Sequence, residues 1–369
     1  MTREKHSWIY DLLFLLVFLL AGYLRLTGVN WGEGQHQHPD ENFLTGVLGS
    51  LRAQVCVDTS IPADACPEDQ KRWLTPGEYF DSKTSPLNPY NRGYSFFVYG
   101  NLPMTLVRVA ADATDQFDVK TLGRQFSALA DLFTIFFLYL LVSRMYGRKV
   151  GLLASLFSAL TVMQIQQSHF FTTDLFVNTF AFLAIYFAVE IVNRKSSIVN
   201  RKSLFSSPLV LLSLGFGFAF GMAMASKVNI YPLAVLLPGA FAIRYLTVDR
   251  GLWTEQPSDE ETVNGQSSTV HRPLLTNYHL LIIISLIAGG LAAFISFRIF
   301  QPYAFDDILP SQQWIANIQE QRIQAKGDAD LPWNLQWARR NHLYSFENLT
   351  KWGLGLPFGI LAWAGFLYM

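Results

Sequence analysis

Eight stretches of this chain are predominantly apolar: residues 7–26, 122–143, 150–168, 174–192, 204–225, 229–247, 279–300 and 353–369. A helix needs roughly 20 such residues to cross the hydrocarbon core of a bilayer. In lipid every backbone polar group must be satisfied within the chain, which leaves helices as the form such runs take. The expected fold class is an all-α polytopic membrane protein with about eight transmembrane helices. Composition agrees, since 51% of residues are hydrophobic, 30 are Phe and only 15% are charged, against about 25% charged in soluble domains. Lys plus Arg and Asp plus Glu balance at 28 each, which argues against nucleic acid as a partner. The first run is too long for a signal-peptide core and "AGYLRLTG" is a poor cleavage site, so it reads as a permanent helix.

Lys and Arg in short loops set the orientation. Arg3 and Lys5, then Arg144, Arg148 and Lys149, then Arg194, Lys195, Arg201 and Lys202, then Arg244, Arg250 and Arg272, all fall on one side if the spans are counted as above. That side is the cytoplasmic one. The segment 96–112 is the test, because a span there would move every later basic loop outside. It is short and broken by Gly100 and Pro103, and reads as a helix lying in the outer interface. The whole chain is then one transmembrane domain with interfacial helices. Its extracytoplasmic loops are 27–121 and 301–352, and a solvated cytoplasmic linker covers 248–277. The protein is expected in the plasma membrane as a multi-pass protein. In the last outer loop a helix is predicted from Ser311 to a stop at Gly327, with Trp314, Ile315, Ile318 and Ile323 on one face. An aromatic stretch with Trp333, Trp337, Tyr344, Phe346 and Trp352 follows. Cys56 and Cys66 both lie in the first outer loop. An oxidising compartment favours a structural disulfide there, although two separate thiols would look the same in sequence.

Three places concentrate groups able to do chemistry. The first is "WGEGQHQHPDENF", where the chain leaves the membrane at Trp31. In extended backbone His36, His38 and Asp40 share a face. That face suits a divalent cation, or a carboxylate base with a His beside it. Asp40 capping a helix that begins near Glu41 is the plain alternative. The second is "QQSHFFTTDLF", with His169 in a turn and Asp174 opening the next span on the same side as Asp40; capping explains Asp174 equally well. The third is Lys227, in a very short outer turn, where it either snorkels or counters a phosphate. Arg298, at the outer end of the seventh span, has the same two readings. Asp131, inside the second span, must face protein or a cavity. No P-loop, dinucleotide glycine pattern or zinc-protease motif is present.

An N-terminal span, then "R-L-x-G-x-x-W" (Arg25 to Trp31), then "H-P-D-E", resembles the GT-C superfamily of membrane glycosyltransferases. Further on, an acidic residue opens "TTDLFVNTF", and a Gly/Ala-rich span runs into Lys227. The likeness is greatest to the protein O-mannosyltransferase and aminoarabinose-transferase type, over most of residues 7–300. The resemblance implies a polyprenyl-phosphate-linked sugar donor and inverting transfer to an acceptor hydroxyl at the extracytoplasmic face. By it, Asp40 is the catalytic base, Glu41 the second acid and Asp174 the acid of the next outer loop. Lys227 is the contact to the lipid phosphate. Beside these, Arg298, His38 and His169 are further candidate substrate contacts read from their place in the sequence. Some relatives use a divalent metal ion, for which Asp40, Asp174 and His36 are the candidate ligands, and others use none. Relatives continue with more helices beyond the eighth. The acceptor is open. The competing reading is a transporter or lipid-binding membrane protein without chemistry. Such a protein would place its charges near mid-membrane, often on paired repeats, whereas here they gather at one lip.

Overall fold

The computed structural model describes residues 7–35, 37–58, 60–61, 65–116, 118–194, 207–249, 274–329, 331–335, 338 and 340–368. It is a helical membrane-type bundle with two very small hairpins. Helix α1 (Ser7–Leu26) leads into α2 (Pro39–Ser50), the paired strands β1 (Gln54–Cys56) and β2 (Lys71–Trp73), α3 (Pro76–Phe80) and α4 (Asn101–Ala113). Then come α5 (Val119–Tyr146), α6 (Arg148–Leu160), α7 (Val162–Ser168), α8 (Asp174–Asn193) and α9 (Pro208–Ser226). A 3-10 stretch, Val228–Val235, continues into α10 (Leu236–Arg244). After it come α11 (Leu274–Phe300), the hairpin of β3 (Phe305–Asp306) with β4 (Leu309–Pro310), α12 (Gln312–Lys326) and α13 (Leu356–Tyr368).

Among the described residues six helices are long and apolar enough to cross a membrane: Trp8–Leu26, Val119–Tyr146, Asp174–Asn193, Pro208–Ser226, Val228–Thr247 and Tyr278–Phe300. The expected span 150–168 is a bent pair, α6 and α7, meeting at 59°. The last expected span is the shorter α13. Most of the linker 248–277, residues 250–273, lies outside the described residues, as do His36, Trp337 and Met369.

Small residues let the spans approach. A Cβ on Gly217 of α9 would stand 2.0 Å from the Gly289 carbonyl oxygen of α11, and one on Gly221 would stand 2.5 Å from that of Ala293. The spacing Gly217–Gly221 is the small-xxx-small pattern by which membrane helices gain van der Waals contact. The α6–α7 break is served by α1. At the break Thr161 is extended, with φ −68° and ψ 116°. Arg25 donates to the nearby carbonyls of Ala159 (3.0 Å) and Ser158 (3.2 Å). Its charge is balanced by Asp131 of α5 at 2.6 Å, with both side chains buried. Asp131 therefore faces protein, as its place inside a span required, and its partner is Arg25.

Helix α4 is not among the described helices long and apolar enough to cross a membrane, and it packs into the protein. Leu102, Met104, Val107 and Ala111 are buried, and the last three share one core with Leu44 and Leu48 of α2 and with Leu175 and Phe176 of α8. Helix α12 starts after Ser311 and ends at Gly327 (φ 74°), as expected. Its most buried residue is not one of the four apolar positions but Asn317. Asn317 Oδ1 accepts from the Phe97 amide (2.9 Å) and the Tyr90 hydroxyl (3.1 Å), which docks α12 on the first loop. Cys56 and Cys66 are joined in a disulfide beside the β1–β2 hairpin.

Candidate active site

The site is built on Glu41. Arg124 of α5 grips both oxygens of its carboxylate, Nε to Oε1 at 2.6 Å and Nη2 to Oε2 at 2.7 Å, and the Phe171 amide donates to Oε1 at 2.9 Å. Arg124 also donates to the carbonyls of Val29 and Trp31, and its guanidinium lies 5.1 Å from the Trp31 ring centre. Both charges are fully buried. Such a pair holds only when its remaining hydrogen-bonding capacity is met, and here backbone groups of two further segments meet it. The chain after α1, the start of α2, the outer end of α5 and the α7–α8 turn are thereby fixed together. Glu41, expected among the catalytic acids, is sealed from solvent with both oxygens engaged.

With Glu41 clamped, its neighbour Asp40 is half-buried in the first turn of α2. The N-cap of α2 is His38, which makes no side-chain capping bond. The N-cap of α8 is Thr173, again without one, and Asp174 is the first helical residue. Neither acid is the cap that the plain readings supposed. Both stand at helix N-termini, where the backbone dipole favours negative charge.

Tyr99 stands near both acids. Burial pushes its phenol well above the ordinary value, and the charges of Asp40 and Asp174 push the same way. Lys227 closes the group, with Nζ 2.5 Å from Asp174 Oδ1. It sits at the C-cap of α9, the end of a helix that favours a cation. The Gly100 amide donates to the Ser226 carbonyl at 3.1 Å, so the segment bearing Tyr99 runs directly against the residue before Lys227. Asp40, Tyr99, Asp174 and Lys227 thus come from four separate segments to one neighbourhood of the structure.

The other expected residues are distributed differently. His38 packs its ring 4.9 Å from Phe170, and its Nδ1 is buried without a partner among the described residues. The hydroxyls of Thr172 and Thr173, just before Asp174, are also buried and unpartnered. His169, expected to touch substrate, instead ties the frame. Its Nδ1 faces the Ile165 carbonyl (2.7 Å), its Nε2 the Thr27 carbonyl (3.0 Å), and its own carbonyl accepts from Trp31 Nε1 (3.0 Å). Arg298 lies against the Phe80 and Phe305 rings and donates to the Asp307 carbonyl, a neighbourhood that includes none of the four site residues. Among the described residues no three His, Cys, Asp or Glu side chains gather as a metal site would need. Asp174 is engaged by Lys227, and His36 lies outside the described residues.

Residues 117–257 match the family model of the dolichyl-phosphate-mannose-protein mannosyltransferases. Over that segment the chain is similar to that family of membrane glycosyltransferases. The matched segment contains α5 to α10, and so carries Arg124, Asp174 and Lys227. No curated protein matches the chain. Sequence reasoning passed over Tyr99 and Arg124. Gly100 was the available signal for the first. The reason for a glycine there is the close approach, since a Cβ would stand 2.0 Å from the Ala225 carbonyl oxygen.

Proposed function

We propose that the transferase moves a sugar from a polyprenyl-phosphate donor to an acceptor hydroxyl at the extracytoplasmic face, in one inverting displacement with Asp40 as general base. The observation that carries this reading is the Lys227–Asp174 pair, with the segment of Tyr99 running against it and Tyr99 near the charges of both Asp40 and Asp174. In the step, the acceptor oxygen attacks the anomeric carbon as Asp40 takes its proton. The bond from that carbon to the phosphate oxygen breaks, and its electron pair leaves with the polyprenyl phosphate. Negative charge therefore grows on the leaving phosphate, and a preplaced cation lowers the barrier most where charge develops. Lys227 is that cation. Its present partner Asp174 holds it at the lip, and an arriving phosphate shares or takes over the ammonium. One displacement needs one base and no enzyme nucleophile, hence inversion.

His38 Nδ1 and the Thr172 and Thr173 hydroxyls support a polar ligand beside the acids, because buried polar groups normally have partners. The extracytoplasmic assignment is supported by Arg144, Arg194 and Arg244, which stand at the C-terminal ends of α5, α8 and α10 and away from Asp174 and Lys227, and by the Cys56–Cys66 disulfide in the first loop. The name of the matching family points to mannose as the first sugar to try.

The test is a donor panel. Purified protein in liposomes is given polyprenyl-phosphate sugars, mannose first, and sugar release or transfer is scored together with the anomeric configuration of the product. Consumption of at least one donor, with the configuration inverted, is expected. Failure to consume any donor, or a product of retained configuration, overturns the proposal.

A further inference from the structure

We infer that Gly100 and Gln301 are positioning residues for Lys227: through the first turn of α4 they fix the end of α9 from which that ammonium projects. The inference rests on the reading of Lys227 as the contact to the donor's phosphate.

Lys227 stands where α9 stops. Its backbone is extended, with φ −158° and ψ 114°, and the 3-10 stretch begins at the next residue. The last carbonyls of a helix have no partner within it. Here the Ser226 carbonyl takes its partner from another segment, the Gly100 amide at 3.1 Å. Gly100 is in turn the N-cap of α4, and the first amide of that helix, from Asn101, donates to Gln301 Oε1 at 2.5 Å. Gln301 is the residue that follows α11. Two consecutive amides thus tie the C-terminal ends of α9 and α11 to the start of α4, and Asn101 and Gln301 are both buried. The segment leading into Gly100 is held as well. The Phe97 amide donates to Asn317 Oδ1 at 2.9 Å, and the Phe97 carbonyl accepts from the Tyr90 hydroxyl at 3.2 Å.

Gly100 has φ −74° and ψ 143°, a conformation open to any residue, so glycine is not there for its backbone freedom. It is there for space. A Cβ would run into the carbonyl oxygens of Ala225 and Ser226, the two residues before Lys227. Those are backbone atoms, which cannot swing aside as the tip of a side chain can. An added methyl group therefore displaces the end of α9. Lys carries its charge on a flexible stem, so its reach is set by where the backbone holds it. At present that reach brings Nζ to 2.5 Å from Asp174 Oδ1. Loss of the Gln301 acceptor acts on the same turn, because it leaves the Asn101 amide buried and unpaired.

The experiment measures the affinity of the full chain in nanodiscs for a polyprenyl phosphate, by microscale thermophoresis. The variants are Lys227→Gln, Gly100→Ala and Gln301→Met, with each of the last two also placed in the Lys227→Gln background. Lys227→Gln is expected to bind about 10-fold more weakly or worse. Gly100→Ala should lose about 10-fold and Gln301→Met about threefold. In the Lys227→Gln background either change should alter affinity by less than about twofold, since both act through the absent ammonium. Gln301→Glu keeps an acceptor at a helix N-terminus, where negative charge is favoured, and should retain wild-type affinity. If Gly100→Ala does not fold, Gln301→Met decides alone. Wild-type affinity in Gln301→Met, an undiminished further loss in the Lys227→Gln background, or a Gln301→Glu as weak as Gln301→Met would overturn the inference. Wild-type affinity in Lys227→Gln would instead remove the phosphate reading beneath it.

Discussion

Asp40 and Glu41 are adjacent acids that the fold uses in opposite ways. Glu41 turns inward to Arg124 and the Phe171 amide, whereas Asp40 stays half-buried near Tyr99. The "H-P-D-E" stretch marked both, but it could not tell them apart, because the difference depends on Arg124, 83 residues away. Tyr99 was hidden for a similar reason, as one of 15 Tyr residues with no local pattern to single it out. Lys227 and Asp174 were legible as charges beside apolar runs, and their pairing was not. A buried pair that loses one partner is strongly destabilised. Glu41→Gln should therefore cost about 3–5 kcal/mol of stability, read as a lower unfolding temperature in detergent and a loose first loop under limited proteolysis. An unfolding temperature equal to the wild type would show that the clamp is not structural.

The lengths of the spans were readable from apolar runs, and helix α12 from its Ser and Gly ends. The break between α6 and α7 was not. No Pro or Gly marks Thr161, and part of the backbone demand at the break is met by Arg25 from another helix. The placement of α4 was legible only in part. Its shortness excluded a span, but its buried face belongs to contacts with α2 and α8 that no local pattern encodes. The glycines of α9 were visible as composition, while their role depends on the α11 backbone beside them. Gly217→Leu would force side-chain atoms onto the Gly289 carbonyl and should destabilise the pair by about 1–3 kcal/mol or more. Thermal unfolding in detergent checks this, and an unchanged midpoint would mean that α9 and α11 are not in such close contact.

At the scale of the molecule, the bundle brings the ends of α8 and α9 together, so that Asp174 and Lys227 meet across complementary helix ends. The first loop folds over that end with its own core, its disulfide and the docked α12, and it delivers Asp40 and Tyr99 from the other side. The sequence placed the charges at one lip by counting spans, and the resemblance to GT-C enzymes assigned them work; the frame of Arg124, His169 and Arg25 that fixes their geometry emerges only in three dimensions. The central claim is that Asp40 takes the acceptor's proton. Its most direct test is turnover of a polyprenyl-phosphate sugar by Asp40→Asn beside the wild type, with donor binding measured on the same samples. The account predicts a fall of about 10²–10⁴-fold in kcat with donor affinity retained. Wild-type turnover in Asp40→Asn would contradict it.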